Sequence, residues 1–328
     1  MNLIDVSRKL QSEDQCLDFI EKVRWPDGVV RCPTCGSDKI SRITRNVDET
    51  KTRRQKKQNK RTRLYACLES TCKYRFTPTV GTLFHDSHLP LSKWFAAVAL
   101  IVHAKKGMSA KQVQRHLGVN YRTAWYMGHR IRKAMSEGSG IMAVEMELTP
   151  ARPKLSGTVE MDETYIGGKK HGACVRGRGA EKEIVVGLRQ RKGDLRFFHA
   201  SDAKSGTLAQ YIREHVSEDV DRIVTDEWSA YPDAMRRTGM EEKHHTIRHK
   251  GGVYAVGDIH TNTVESAFSL LKRGIIGSFH KLSAKHLHRY LSEFEYRFNG
   301  REMPDLFGAT VANMVSTGAM PYRELTAE

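Results

Sequence analysis

Apolar positions recur along this chain in two rhythms, and the change from one to the other divides it. Up to about residue 135 the rhythm is helical. Leu17, Ile20 and Val23 line one face of a segment over 12–24, which Ser12 and Gln15 open as a capping box and Trp25-Pro-Asp-Gly28 closes. Trp94, Phe95, Val98 and Val102 make a second stripe beginning at Leu91, with Gly107 closing the segment. Ser109 to Trp125 then reads as helix, glycine turn, helix. Ser109 and Gln112 cap the first helix, Gly118 supplies the turn and Asn120 caps the second. A groove-reading second helix would expose Tyr121, Arg122, His129, Arg130 and Arg132.

Gly, Pro and Ser break the periodicity from 136 to 156 and mark a boundary. Beyond it a period of two takes over in Thr158 to Ile166, Lys182 to Arg189 and Leu195 to Ala200. Turns at Gly167-Gly168 and Lys192-Gly193 make these an antiparallel meander. A helix over Ser205 to Val216, a strand over Arg222 to Asp226, a helix over Ala230 to Thr238 and a short strand near Lys243 to Ile247 follow. The next helix opens at Asn262, with Glu265 as its capping-box partner and Val264, Phe268 and Leu271 as its stripe. Glu265 and Lys272 are two helical turns apart and share a face, where a carboxylate and an ammonium can hold a metal ion beside a phosphate. A long helix over Ala284 to Asn299 ends the pattern.

Composition narrows the partners. A net charge of +16 and a pI near 9.6 call for a polyanion, with nucleic acid first and an anionic membrane surface second. The longest apolar run, Trp94 to Val102, is far short of a membrane span, and the first residues lack a signal-peptide pattern. A cytosolic protein is expected, so its six cysteines are metal ligands or buried thiols rather than disulfides. Cys32-Pro-Thr-Cys35-Gly36 and Cys67-Leu-Glu-Ser-Thr-Cys72 suit four thiolates around a structural zinc ion. A redox pair is the rival, but no strand-helix pattern surrounds Cys32. Between the knuckles, residues 51–63 carry no acidic or apolar side chain, and Arg53, Arg54, Lys56 and Lys57 suit a loop that neutralises phosphates. The bland alternative is a solvated insertion.

Asp162 and Asp226 interrupt or end apolar strands, where a carboxylate packs poorly and must be desolvated. A divalent metal compensates clustered carboxylates. Neighbouring parallel strands with Glu265 arriving on a helix would supply three oxygen donors, which favour Mg²⁺ or Mn²⁺ over zinc. Two such ions roughly 3.5–4 Å apart activate an attacking oxygen and stabilise a leaving one. A solvent-facing strand end is the alternative for either aspartate alone. Glu163 and Glu227 point to the opposite strand face and stay outside the set. His260 stands as either a neighbour of the third acid or a surface histidine. His244, His245 and His249 suit phosphate-facing or packed roles more than metal binding.

Asp-Glu-Thr-Tyr-Ile-Gly-Gly-Lys (162–169), Thr-Asp-Glu-Trp-x-x-Tyr (225–231) and His-Thr-Asn-Thr-Val-Glu-Ser-x-x-Ser-Leu-Leu-Lys-Arg-Gly-Ile (260–275) resemble the DDE transposases of bacterial insertion sequences. The branch is the one with a zinc ribbon ahead of the catalytic domain, and Arg24-Trp-Pro-Asp-Gly and the stretch from His280 to Asn299 resemble it too. The resemblance implies an α/β, ribonuclease H-like mixed sheet flanked by helices, preceded by a small zinc ribbon and a helix-turn-helix module. Five segments are then expected: a ribbon with leading helix and basic loop at 1–85, the helix-turn-helix at 86–136, a linker at 137–155, the catalytic domain at 156–301 and a tail at 302–328. Asp162, Asp226 and Glu265 become the triad for two Mg²⁺ or Mn²⁺ ions, with Asn262 able to share the shell. Lys272, Arg273, Arg122 and Arg130 join the basic loop as contacts to double-stranded DNA, both element ends and target. A homo-oligomer on DNA in a bacterial cytoplasm is implied. The competing class is a DNA-binding regulator whose third domain is inactive.

Overall fold

The computed structural model describes residues 1–43, 63–137, 152–167, 182–247 and 258–327. In chain order its first elements are α1 (Leu3–Lys9), α2 (Glu13–Arg24), β1 (Ile40–Ile43), β2 (Leu64–Cys67) and β3 (Arg75–Phe76). Three helices follow: α3 (Leu91–Val102), α4 (Ala110–Leu117) and α5 (Tyr121–Glu137). Then come β4 (Thr158–Ile166), β5 (Glu183–Gln190), β6 (Leu195–Ala200), α6 (Ser205–His215), β7 (Arg222–Thr225), α7 (Ala230–Thr238) and β8 (His244–Thr246). The chain ends with α8 (Asn262–Gly274), α9 (Ala284–Asn299), α10 (Leu306–Ser316) and α11 (Tyr322–Ala327). These elements form two compact units, one of 1–103, 110–144 and 303–328, the other of 104–109 and 145–302.

In the first unit, Ser12 caps α2 as the sequence predicts: its side chain accepts from Gln15 N while Gln15 reaches back. Strands β1, β2 and β3 form an antiparallel ribbon, and Trp25, Cys32, Tyr65, Cys67 and Phe76 make its small core. The basic run ends inside this packing. Arg63 is 8% exposed and pairs with Asp18 at 2.5 Å and Glu21 at 2.8 Å on α2. It ties the ribbon to a helix and does not face a phosphate. Arg53, Arg54, Lys56 and Lys57 lie outside the described residues.

The helical core of this unit is aromatic. Phe19 of α2, Phe95 of α3 and Phe307 of α10 meet with centroids 5.8–6.1 Å apart. Residues 302–328 are therefore not a tail: Asp305 accepts from Gly308 N to cap α10, whose Phe307, Val311 and Met314 are fully buried. The ribbon and the helices after it share one unit with these last helices, rather than standing as separate modules.

In the second unit, five strands run in the order β6-β5-β4-β7-β8. Strands β4, β5 and β6 form the expected antiparallel meander, while β7 and β8 lie parallel to β4. That mixed sheet, flanked by helices on both faces, is the ribonuclease H-like arrangement expected. Leu208, Ala209 and Ile212 of α6 and Tyr231, Ala234 and Met235 of α7 bury one face together with Val159, Met161 and Ile223. Val264, Phe268 and Leu271 of α8 and Leu287, Leu291 and Phe294 of α9 cover the other, against Ile166, Val185 and Phe197. After α8 the helix widens into a single π turn over Ile275–Phe279. Gly274 is required just before it, since a Cβ there would lie 2.7 Å from the Lys106 carbonyl oxygen.

Candidate active site

Alternate strand residues point to opposite faces. Val159 and Met161 of β4 enter the core under α6 and α7, so Glu160 and Asp162 face the other way. Asp162 stands opposite Gly187 of β5, and a Cβ at Gly187 would come within 2.7 Å of the Phe268 ring. The absent side chain at 187 lets α8 settle against the sheet beside Asp162.

Asp226 comes from the neighbouring parallel strand. The register pairs Thr158 with Arg222 and Glu160 with Val224; Asp226 follows the last residue of β7, and its charge acts on the Asp162 carboxyl. Asp226 Oδ1 accepts from Trp228 N at 3.0 Å, a turn that fixes the carboxylate at the strand end. Glu265 lies in the first turn of α8. The N-cap there is Thr261, whose hydroxyl donates to Glu265 Oε1 at 2.6 Å. The expected capping box between Asn262 and Glu265 is thus replaced: Asn262 is the exposed first residue of the helix itself.

The site is crowded with like charge. Burial, together with Glu163, Asp226 and Glu265, pushes the Asp162 carboxyl from 3.8 up to about 7, against the opposing pull of the Glu163 amide that donates to it. Asp162, Asp226 and Glu265 therefore lie in one electrostatic cluster, although among the described residues only four thiols converge to within 4.8 Å. An oxygen-only donor set with surplus negative charge fits Mg²⁺ or Mn²⁺. Glu163, on the opposite face, accepts from the Tyr231 hydroxyl at 2.6 Å.

The sequence pattern did not flag Glu160. It is fully buried, and Arg191 Nε donates to its Oε1 at 2.7 Å, with His260 Nδ1 3.3 Å away. Its Oε2 accepts from Thr263 N, Thr263 Oγ1 and Val264 N at 2.7–3.0 Å. The signal was available, because Glu160 and Asp162 sit two apart on one strand and so share a face. Lys272 and Arg273 are exposed on α8, and Lys272 borders a cavity of about 510 Å³ with Tyr165, Glu183, His280 and Lys281. His244 packs against the Thr225 hydroxyl at 2.9 Å, and burial lowers its pKa.

In the first unit, Cys32 lies 3.7 Å from Cys72 and Cys35 lies 3.6 Å from Cys67, sulfur to sulfur. Tetrahedral zinc with bonds of about 2.3 Å puts its ligands roughly 3.8 Å apart. The four thiols thus match a structural zinc site.

The helix-turn-helix differs from its expected form. Asn120 does cap α5, accepting from Thr123 N at 2.7 Å, and Gly118 turns with φ +60°. Yet His129, Arg130 and Arg132 are only 0%, 5% and 3% exposed. Arg130 donates to the Leu83 and His85 carbonyls at 3.0 Å and to the Met320 carbonyl at 3.2 Å. Its guanidinium also lies over the Tyr126 ring. Three backbone carbonyls hold it inside, so it is a packing residue and not a groove reader. Arg122 stays exposed at the start of the helix, 4.4 Å over the Tyr322 ring.

Residues 154–299 match the ISXO2-like transposase domain and residues 11–75 the transposase zinc-ribbon domain. An uncharacterized protein in transposable element ISH50 of Halobacterium salinarum is 26% identical over 303 residues, covering 87% of this chain and 90% of that protein. Among solved structures, the Mos1 strand transfer complex is similar over 67% of this chain and 74% of that one, at 9% identity and a TM-score of 0.28. The Mos1 transposase paired-end complex with left transposon end matches 68% and 79%, at 13% identity and a TM-score of 0.24. No helix among the described residues is long and apolar enough to cross a membrane.

Proposed function

We propose that this chain, which belongs to the insertion-sequence DDE transposases that carry an N-terminal zinc ribbon, cuts the ends of its own element and joins the freed 3′-hydroxyl to target DNA. The observation that carries this reading is the grouping of Asp162, Asp226 and Glu265: burial, then the charges of Glu163, Asp226 and Glu265, hold the Asp162 carboxyl near 7. These three side chains would hold the divalent ions, Mg²⁺ or Mn²⁺. When bound, such ions supply the Lewis acidity that activates an attacking oxygen and stabilises a leaving one.

The chain's own contribution is placement. Strand β4 carries one carboxylate, the turn that follows β7 carries the second, and α8 brings the third on a helix seated against Gly187. Lys272 and Arg273, further along α8, offer cations to the DNA backbone on the helix that carries Glu265. Arg122 at the start of α5 and the basic segment before Arg63 are further phosphate contacts. The fourfold cysteine cluster holds structural zinc and keeps the ribbon folded. Joining two ends requires them to meet, so the active species is a homo-oligomer on double-stranded DNA.

The test is a strand-cleavage and strand-transfer gel with Mg²⁺ and element-end DNA. Asp226→Asn is expected to bind the DNA and make neither product. Joining by this variant at the parent rate would dismiss the triad. A parent protein that binds DNA without any metal-dependent nicking would be a regulator instead.

A further inference from the structure

A buried carboxylate outside the proposed triad caps the start of α8 from the sheet. The N-cap residue Thr261 spends its hydroxyl on Glu265, and no side chain of the helix itself caps the first turn. The orphan amides of Thr263 and Val264 are satisfied from the sheet instead, by Glu160 Oε2 at 2.8 and 3.0 Å, with the Thr263 hydroxyl adding a third donor at 2.7 Å. The other oxygen, Oε1, is held by Arg191 Nε at 2.7 Å, with His260 Nδ1 at 3.3 Å. Arg191 in turn donates to the carbonyls of Asp258 at 2.6 Å and His260 at 2.9 Å, fixing the segment that leads into the helix.

From this geometry we infer that Glu160 is the positioning residue of the active site: by capping α8 from β4, it sets Glu265 against Asp162. The inference rests on the triad reading. Glu160 lies two residues before Asp162 on the same strand face, and its cap partners Thr263 and Val264 immediately precede Glu265. Both ends of the link are thus within two residues of a proposed ligand. A negative charge at a helix N-terminus is also favoured by the helix dipole. Neither oxygen is spare, and an amide cannot replace the carboxylate. Its single acceptor oxygen can face the three α8 donors or the Arg191 and His260 side, and its NH₂ then meets donors.

The experiment compares Glu160→Gln, Glu265→Gln and the parent full-length chain with Mn²⁺ as the probe. Free Mn²⁺ is measured by electron paramagnetic resonance, cleavage is measured on element-end DNA, and amide exchange is followed in the metal-free protein. Glu160→Gln is expected to weaken Mn²⁺ binding about 10–100-fold, the range found when ligand-orienting residues are lost. Cleavage returns towards the parent rate at saturating Mn²⁺, whereas Glu265→Gln stays inactive at every concentration. The amides of Thr263 and Val264 exchange faster in Glu160→Gln even without metal. Thr263→Val removes one donor and leaves the carboxylate in place; it is expected to shift Mn²⁺ binding in the same direction by a smaller factor, and it serves as the test if Glu160→Gln does not fold. Mn²⁺ titrations of the variants that overlay the parent's, with Glu265→Gln inactive, would overturn the role of Glu160 and leave the triad standing. An active Glu265→Gln would overturn both.

Discussion

Asp162 carries a stability cost that an amide removes. The folded carboxyl titrates near 7, against 3.8 as its ordinary value, because it is buried among Glu163, Asp226 and Glu265. Between those two pH values the folded chain holds a proton that the unfolded chain has released. The folded state then binds more protons, and stability falls as pH rises through that window. Below about pH 4 the penalty is absent, and above pH 7 it reaches about 4 kcal/mol. Asp162→Asn removes the charge while keeping an oxygen to accept from the Glu163 amide at 2.8 Å. In metal-free buffer at pH 8 the variant is expected to be more stable by up to about 4 kcal/mol, a rise in Tm of roughly 8–16 °C for a unit of this size. At pH 5 the advantage shrinks to less than about 2 kcal/mol. Thermal unfolding followed by circular dichroism at the two pH values measures both. A variant no more stable than the parent at pH 8, or one with the same advantage at pH 5, would refute the picture of a carboxylate buried among like charges.

The zinc assignment predicts about one zinc ion per chain by elemental analysis, lost in Cys67→Ser. Chelation should then release Trp25 from Tyr65 and Phe76 and change the near-ultraviolet circular dichroism. The two arginines of α5 should separate cleanly. Arg122→Ala weakens DNA binding uniformly across sequences and lowers the salt slope by about one. Arg130→Met leaves the salt slope unchanged and lowers thermal stability, since the Leu83 and His85 carbonyls lose the donations it makes and the Met320 carbonyl keeps that of the Tyr126 hydroxyl.

Long amphipathic segments were legible in the sequence because their own periodicity decides them. Ala284–Asn299 and Ala230–Thr238 occupy the span their apolar stripes predict, and Ser12 and Gln15 cap α2 reciprocally. The three distant acids could be read as a candidate set, since one interrupts an apolar strand, one follows another and the third lies in the first turn of a helix. Buried polar residues were not legible. Arg130 and Arg63 look like surface cations in a basic chain, and only the folded backbone reveals the carbonyls and carboxylates that take them inside. Glu160 could be placed on the Asp162 strand face from its spacing, but only the fold shows that it is buried and bonded to the start of α8. Helix α10 did carry a signal, Asp305 ahead of Leu306, Phe307, Val311 and Met314, but its place in a core with Phe19 and Phe95 spans nearly the whole chain.

That long span has a consequence for biosynthesis. The five-stranded sheet and its covering helices are encoded almost without interruption, so a nascent chain can complete them as soon as residue 302 clears the ribosome. The ribbon-bearing unit waits for Phe307, which is made long after its ring partners Phe19 and Phe95. Nonsense or frameshift mutations just past codon 302 would therefore spare the sheet-bearing unit and strip the other of its keystone ring.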